Sequence, residues 1–127
     1  MTDELILIVD DNEMNVKLAR DVLRFAGFRT VEAGTAADGL ALAVENLPAL
    51  ILMDIRLPDM DGTVAVTRLK SEPRTADVPV VALTSFAMKG DRERFLAAGF
   101  DGYLEKPIAV TKFPDQVRGY LRGEEIP

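Results

Sequence analysis

Leu50-Ile51-Leu52-Met53-Asp54, continuing into Ile55-Arg56-Leu57-Pro58-Asp59-Met60-Asp61-Gly62, is an apolar run that ends in a carboxylate and then turns through a proline and a glycine. Four apolar residues in succession leave no polar face. Such a run reads as a strand buried on both sides, as in a parallel sheet covered by helices. Two further stretches repeat the design. Leu5-Ile6-Leu7-Ile8-Val9 leads into Asp10 and Asp11, and residues 78–83 lead into Thr84. Residues 28–33 alternate only loosely, and residues 101–105 form a short run before Lys106-Pro107, so both read as edge strands.

Helical spacing fills the intervals. Met14, Leu18, Ala19, Val22, Leu23 and Ala26 form one stripe, stopped by Gly27 where a left-handed residue is wanted. Thr35 suits the cap of a second helix with the stripe Ala37, Leu40, Ala41, Val44 and Leu47. A third helix is predicted over residues 63–71, and a polar fourth over residues 88–98, ended by Gly99. In the last, Val110, Phe113, Val117 and Leu121 are apolar; Pro114 confines the start to near Thr111, and Gly119 weakens the interior. Alternating strands and helices imply parallel strands joined by right-handed crossovers. With the first, third and fourth runs inside and the others at the edges, the expected α/β fold is a doubly wound (βα)5 sandwich of strand order 2-1-3-4-5. Ligands of such sheets bind at the carboxyl ends, at the switch point between strands 1 and 3.

At 127 residues the chain is read as a single domain with no attached output domain. A net charge of −6 argues against nucleic-acid binding, which needs cations to displace counterions from phosphates. Cysteine is absent, which excludes disulfides and thiolate chemistry. Histidine is absent too, so any phosphohistidine chemistry requires a second protein. No basic leader precedes the first apolar segment, and no apolar run is long enough to span a bilayer, so a cytoplasmic location without membrane contact is expected.

In this topology Asp10, Asp11, Asp54, Thr84 and Lys106 meet at one sheet edge. Two carboxylates about 5 Å apart repel by about 3 kcal/mol at an effective dielectric of about 20, so the cluster calls for a cation or a proton. Hard oxygen donors without imidazole or thiolate suit Mg2+, with Mn2+ or Ca2+ as substitutes. An ion, an ammonium and a hydroxyl together compensate the charge of a phosphoryl group, and Asp54, ending the central strand, is placed as the nucleophile. Taken singly, each residue has an ordinary reading. Asp10 and Asp11 suit a helix N-terminus, Asp54 a turn, and Thr84 and Tyr103 plain strand positions. Arg92 and Arg94, with Glu93, read as a solvated helix face sooner than as a binding patch. The conjunction favours the site.

Val9-Asp10-Asp11-Asn12, the stretch from Leu52 through Asp54 to Gly62, Ala82-Leu83-Thr84-Ser85 and Tyr103-Leu104-Glu105-Lys106-Pro107 together resemble the receiver domains of two-component response regulators. The resemblance spans nearly the whole chain and implies a flavodoxin-like fold. It also implies Asp54 as phosphoacceptor; Asp11, Asp54 and the backbone carbonyl of Arg56 as Mg2+ ligands; and Asp10 reaching the ion through water. Thr84 and Lys106 would hold the phosphoryl group. Tyr103 would be an aromatic switch remodelling the face of helix 4, strand 5 and helix 5, and the bond before Pro107 would be cis. The implied partners are a histidine kinase or a histidine phosphotransfer protein, plus an unknown downstream protein. Asp11-Asn12-Glu13-Met14-Asn15 and Ala87-Met88-Lys89-Gly90-Asp91 further resemble stand-alone cell-cycle regulators and the receivers of hybrid histidine kinases. Arg56, a cation two residues after the acceptor, occupies a position that tunes phosphate lifetime in the family.

A signalling switch rather than an enzyme is therefore expected, catalysing only its own phosphorylation and slow dephosphorylation. A phosphatase of the haloacid dehalogenase type would need a second acid where Arg56 stands. A flavodoxin-like cofactor binder would need a hydroxyl- and glycine-rich loop where Asp10-Asp11-Asn12-Glu13 would repel phosphate. A receiver excised from a hybrid kinase, or a degenerate receiver that only binds partners, remains as an alternative.

Overall fold

The computed structural model describes residues 4–85 and 90–123. Five strands alternate with five helices: β1 (Leu5–Val9), α1 (Glu13–Phe25), β2 (Arg29–Ala33), α2 (Ala36–Asn46), β3 (Leu50–Asp54), α3 (Gly62–Ser71), β4 (Val80–Thr84), α4 (Asp91–Ala98), β5 (Gly102–Glu105) and α5 (Phe113–Leu121). The strands form one parallel sheet in the order β2-β1-β3-β4-β5, as predicted.

Strand alternation divides the core into two layers. Ile6, Ile8, Leu50, Leu52, Val81 and Leu83 face α1 and α5, where Leu23, Phe113 and Val117 meet them. Leu7, Val9, Ile51, Met53, Val80 and Ala82 face α2, α3 and α4. Every one of these central-strand side chains is buried, which explains the unbroken apolar runs.

Caps follow local chemistry. Asn12, not Asp10 or Asp11, caps α1 by accepting the Asn15 N–H at 3.1 Å. Thr35 caps α2 by accepting the Asp38 N–H at 3.1 Å. Gly27 has φ 100° and Gly99 φ 116°, the left-handed values that stop α1 and α4.

Three expectations need correction. The buried face of α2 is Ala36, Gly39 and Ala43, with Leu40 half-buried, whereas Ala37, Ala41 and Leu47 are exposed. The cause is close approach: a Cβ on Gly39 would lie 2.8 Å from Val9, so the helix packs through its smallest residues. Met14 is exposed at the first turn of α1, and Val16 packs in its place. The last helix starts at Phe113 rather than near Thr111, because the N–H groups of Lys112 and Phe113 bond to the Ala109 carbonyl in a preceding turn. Pro114 does sit in its first turn, but Val110 is exposed ahead of it and Tyr120 takes a buried place. The predicted start of the fourth helix lies outside the described residues, which show α4 from Asp91.

Candidate functional site

Register brings the acids together. Val9 pairs with Met53 and Asp54 with Leu83, so Asp10, Asp54 and Thr84 emerge side by side where β1, β3 and β4 end. Lys106 follows β5, whose Glu105 pairs with Thr84. Its ammonium donates to Asp10 Oδ2 and to Asp54 Oδ2, each at 3.1 Å. Asp10 and Asp54 are both buried, as is Thr84, while Asp11 is exposed. The carboxylate oxygens of Asp10, Asp11 and Asp54 lie within 4.8 Å of one another. The peptide bond between Lys106 and Pro107 is cis.

Each acid is held by its own backbone. Asp10 Oδ1 accepts the Asn12 N–H at 2.9 Å, and Asp54 Oδ1 accepts the Arg56 N–H at 3.0 Å. Those bonds fix the carboxylate planes and leave the second oxygens for the ammonium. Burial pushes the Asp54 carboxyl above the ordinary aspartate range, against the Arg56 and Lys106 hydrogen bonds, and the nearby Asp10 charge adds to the rise. Burial alone would lower the Lys106 pKa; the hydrogen bond to Asp54 and the charges of Asp10 and Asp54 outweigh it and leave the pKa raised. The Lys106 ammonium bonds two of the three carboxylates and offsets only part of their charge.

The loop between β3 and α3 is tied down at several points. Arg56 bridges Asp61 in antiparallel fashion, and the Gly62 N–H donates to the Ile55 carbonyl at 2.7 Å. A Cβ on Gly62 would stand 2.7 Å from the Asp54 carbonyl oxygen and 2.8 Å from Ile55 Cα, so glycine is required there. Asp61 caps α3 by accepting the Thr63 N–H and hydroxyl at 2.8 and 2.7 Å. Asp59 accepts the N–H groups of Ala36 and Ala37 at the start of α2. Asp59 and Asp61 are helix-capping residues that the motif pattern does not single out. A capping signal before Thr63 was present for Asp61, but no local signal marks Asp59, whose partners lie on another helix.

A cleft of about 390 Å³ opens over this cluster, walled by Asp11, Asp54, Arg56, Thr84 and Lys106 and, on the α4 side, by Arg94. Arg94 and Glu93 are exposed, as a solvated helix face requires, while Arg92 is half-buried; Arg94 also borders the cleft. Tyr103 lies outside this cleft, half-buried on β5, with its ring edge-on to Phe95 of α4 at 5.9 Å between centroids.

The chain belongs to the response regulator receiver domain family, which it matches over residues 6–118. It is thus a receiver domain of two-component signalling. Among curated relatives it is similar to the polar-differentiation response regulator DivK of Brucella ovis and of Brucella abortus, each 42% identical over 116 residues, covering 91% of this chain and 94% of the relative. Solved structures give the same picture. A CheY-like response regulator receiver domain protein from Methanospirillum hungatei superposes with a TM-score of 0.83 at 31% identity, covering 95% of each chain. The receiver domain of sensor histidine kinase PA1611 from Pseudomonas aeruginosa, solved with a magnesium ion coordinated in its active-site cleft, gives 0.85 at 32% identity over 96% of this chain and 99% of that one. Among the described residues, no helix is long and apolar enough to cross a membrane.

Proposed function

We propose that this receiver accepts a phosphoryl group on Asp54 from a phosphohistidine of a histidine kinase or a histidine phosphotransfer protein. The observation that carries the reading is the ammonium of Lys106, 3.1 Å from both Asp10 and Asp54 at the mouth of a carboxylate cluster. An Asp54 carboxylate oxygen attacks phosphorus, the new P–O bond replaces the donor's P–N bond, and the leaving imidazole takes a proton. The donor histidine belongs to the partner, since this chain has none. Lys106 and the Thr84 hydroxyl, both lining the cleft, would hold the oxygens of the transferred group, and the Arg56 N–H bond to Asp54 would orient the attacking carboxylate.

Three hard carboxylates within 4.8 Å, with no soft donor beside them, fit Mg2+. Asp10, Asp11, Asp54 and the Arg56 backbone carbonyl are the residues that would hold it. When bound, the ion supplies positive charge that offsets the acids and the incoming phosphoryl oxygens. The magnesium in the similar PA1611 receiver supports this assignment.

In this reading residues 1–127 act as a single receiver in the cytoplasm whose output is a protein contact, not nucleic acid. The contact face is formed by α4, β5 and α5 and is remodelled through Thr84 and Tyr103. Likeness to a sensor-kinase receiver gives support to a second setting, a receiver module within a hybrid histidine kinase. The test is labelling by acetyl phosphate: Mg2+-dependent incorporation is expected in the wild type and none in Asp54→Asn. Retained incorporation in that variant would place the acceptor elsewhere.

A further inference from the structure

Two arginines of α4, two residues apart, serve different surroundings. Residues at that spacing point to opposite sides of a helix. Arg92 lies near Tyr120 of α5: burial raises the Tyr120 phenol, and the Arg92 charge opposes the rise. Arg94 instead walls the acid cleft with Asp54, Thr84 and Lys106. Its charge also reaches Asp61, the cap of α3. The Thr63 hydroxyl and N–H chiefly lower the Asp61 carboxyl, and Arg94 adds to that lowering.

Arg94 is held in a way that leaves it transferable. Its guanidinium pairs with Asp91 at 3.1 Å and lies 4.9 Å from the centroid of the Phe95 ring. The Arg94 side chain is largely exposed, so the pair is weak and screened by salt. Phe95 is fully buried and meets Tyr103 edge-on. One cation thus touches the acid cleft on one side and, through a single ring, the strand bearing Tyr103 on the other.

The geometry points to Arg94 as a phosphoryl-recognising cation on the α4 wall of the cleft, drawing in the anionic donor and reporting the loaded state to Tyr103 through Phe95. This deepens the phosphoacceptor reading and rests on it. A guanidinium suits the task because its planar fork matches two phosphate oxygens at once. A phosphoryl group on Asp54 competes with Asp91 for this fork and draws it from the Phe95 ring, whose packing partner on the sheet is Tyr103.

The experiment compares wild type, Arg94→Gln and Arg94→Lys as full chains, labelled by acetyl phosphate with Mg2+ at low and high ionic strength. Intrinsic tyrosine fluorescence is followed in parallel, which two tyrosines and no tryptophan make readable. At low salt Arg94→Gln is expected to label about two- to fivefold more slowly, the size of one exposed charge interaction. The deficit should close at high salt, Arg94→Lys should recover part of the rate, and the fluorescence change on loading should shrink in Arg94→Gln. Equal rates at low salt, or a deficit that salt does not diminish, would overturn the inference while leaving a labelled Asp54 intact. A wild type that takes no label at Asp54 would overturn the acceptor reading and this inference with it.

Discussion

Asp59 caps a helix to which it does not belong: its Oδ1 accepts the Ala36 N–H at 2.8 Å from a loop 23 residues further along the chain, and its Oδ2 accepts Ala37 at 3.0 Å. The loop that carries Arg56 is therefore moored to the N-terminus of α2. The two N–H bonds lower the Asp59 carboxyl pKa. A depressed carboxyl contributes stability above its unfolded pKa and loses it as pH falls through the folded one. Asp59→Asn should weaken the protein at neutral pH and flatten the decline of stability below about pH 4. Urea titrations across that range measure both, and parallel pH profiles for the two proteins would contradict the mooring.

Gly62 makes the opposite demand, for the absence of a side chain. Alanine favours a helix by about 1 kcal/mol over glycine. Here its Cβ would meet the backbone of Asp54 and Ile55, which cannot swing aside as a side chain would. Gly62→Ala should therefore cost about 1–3 kcal/mol in urea unfolding. A more stable variant would show that the loop yields.

Asp54 is a buried carboxyl with a raised pKa, first because of burial. A carboxyl raised on folding loses stability as pH climbs from the unfolded pKa through the folded one. In metal-free buffer Asp54→Asn should thus be more stable than wild type at neutral pH, with the gain fading in acid. Adding Mg2+ should reverse the order. At a hundredfold excess over Kd the ion should stabilise wild type by about 2.7 kcal/mol, and Asp54→Asn by much less. Equal magnesium shifts in thermal melts would remove Asp54 from the ligand set.

In the phosphoacceptor reading, Lys106 is expected to serve the loaded state more than the metal. Lys106→Ala should lower the response of the α4–β5–α5 face, read by amide shifts at Tyr103, more than it lowers Mg2+ affinity. An equal loss in metal titration would assign the ammonium a different task.

Arg56 contributes in two separable ways. Its N–H orients Asp54, which any residue but proline supplies, whereas its side chain brings charge beside that carboxylate. Arg56→Ala should change the lifetime of the labelled state with little effect on stability. Identical lifetimes in label-decay measurements would show the charge to be a bystander.

Both-face burial made the sheet readable: Leu5–Val9, Leu50–Asp54 and Val80–Thr84 carry an apolar signal that no solvated strand would tolerate. The acid cluster followed from those strands, because register alone places Asp10, Asp54 and Thr84 at adjacent strand ends. What escaped was set by partners distant in the chain. Gly39 looks like a flaw in α2 until Val9 is beneath it. Asp59 looks like a turn residue until Ala36 is beside it. Arg92 and Arg94 look alike until α4 is turned against the cleft, when one is near Tyr120 and the other walls the acids. Periodicity reports which residues are dry, not what stands opposite them.

The reach of Lys106 carries one more consequence. It starts from an outer strand and passes over β4 to grip groups rooted on β3 and β1, so a single side chain cinches the sheet's upper rim from margin to middle. An anion seated beside Asp54 must share that grip. In the phosphoacceptor reading, its arrival would slacken the rim, and the outer strand would register the newcomer through Lys106 alone.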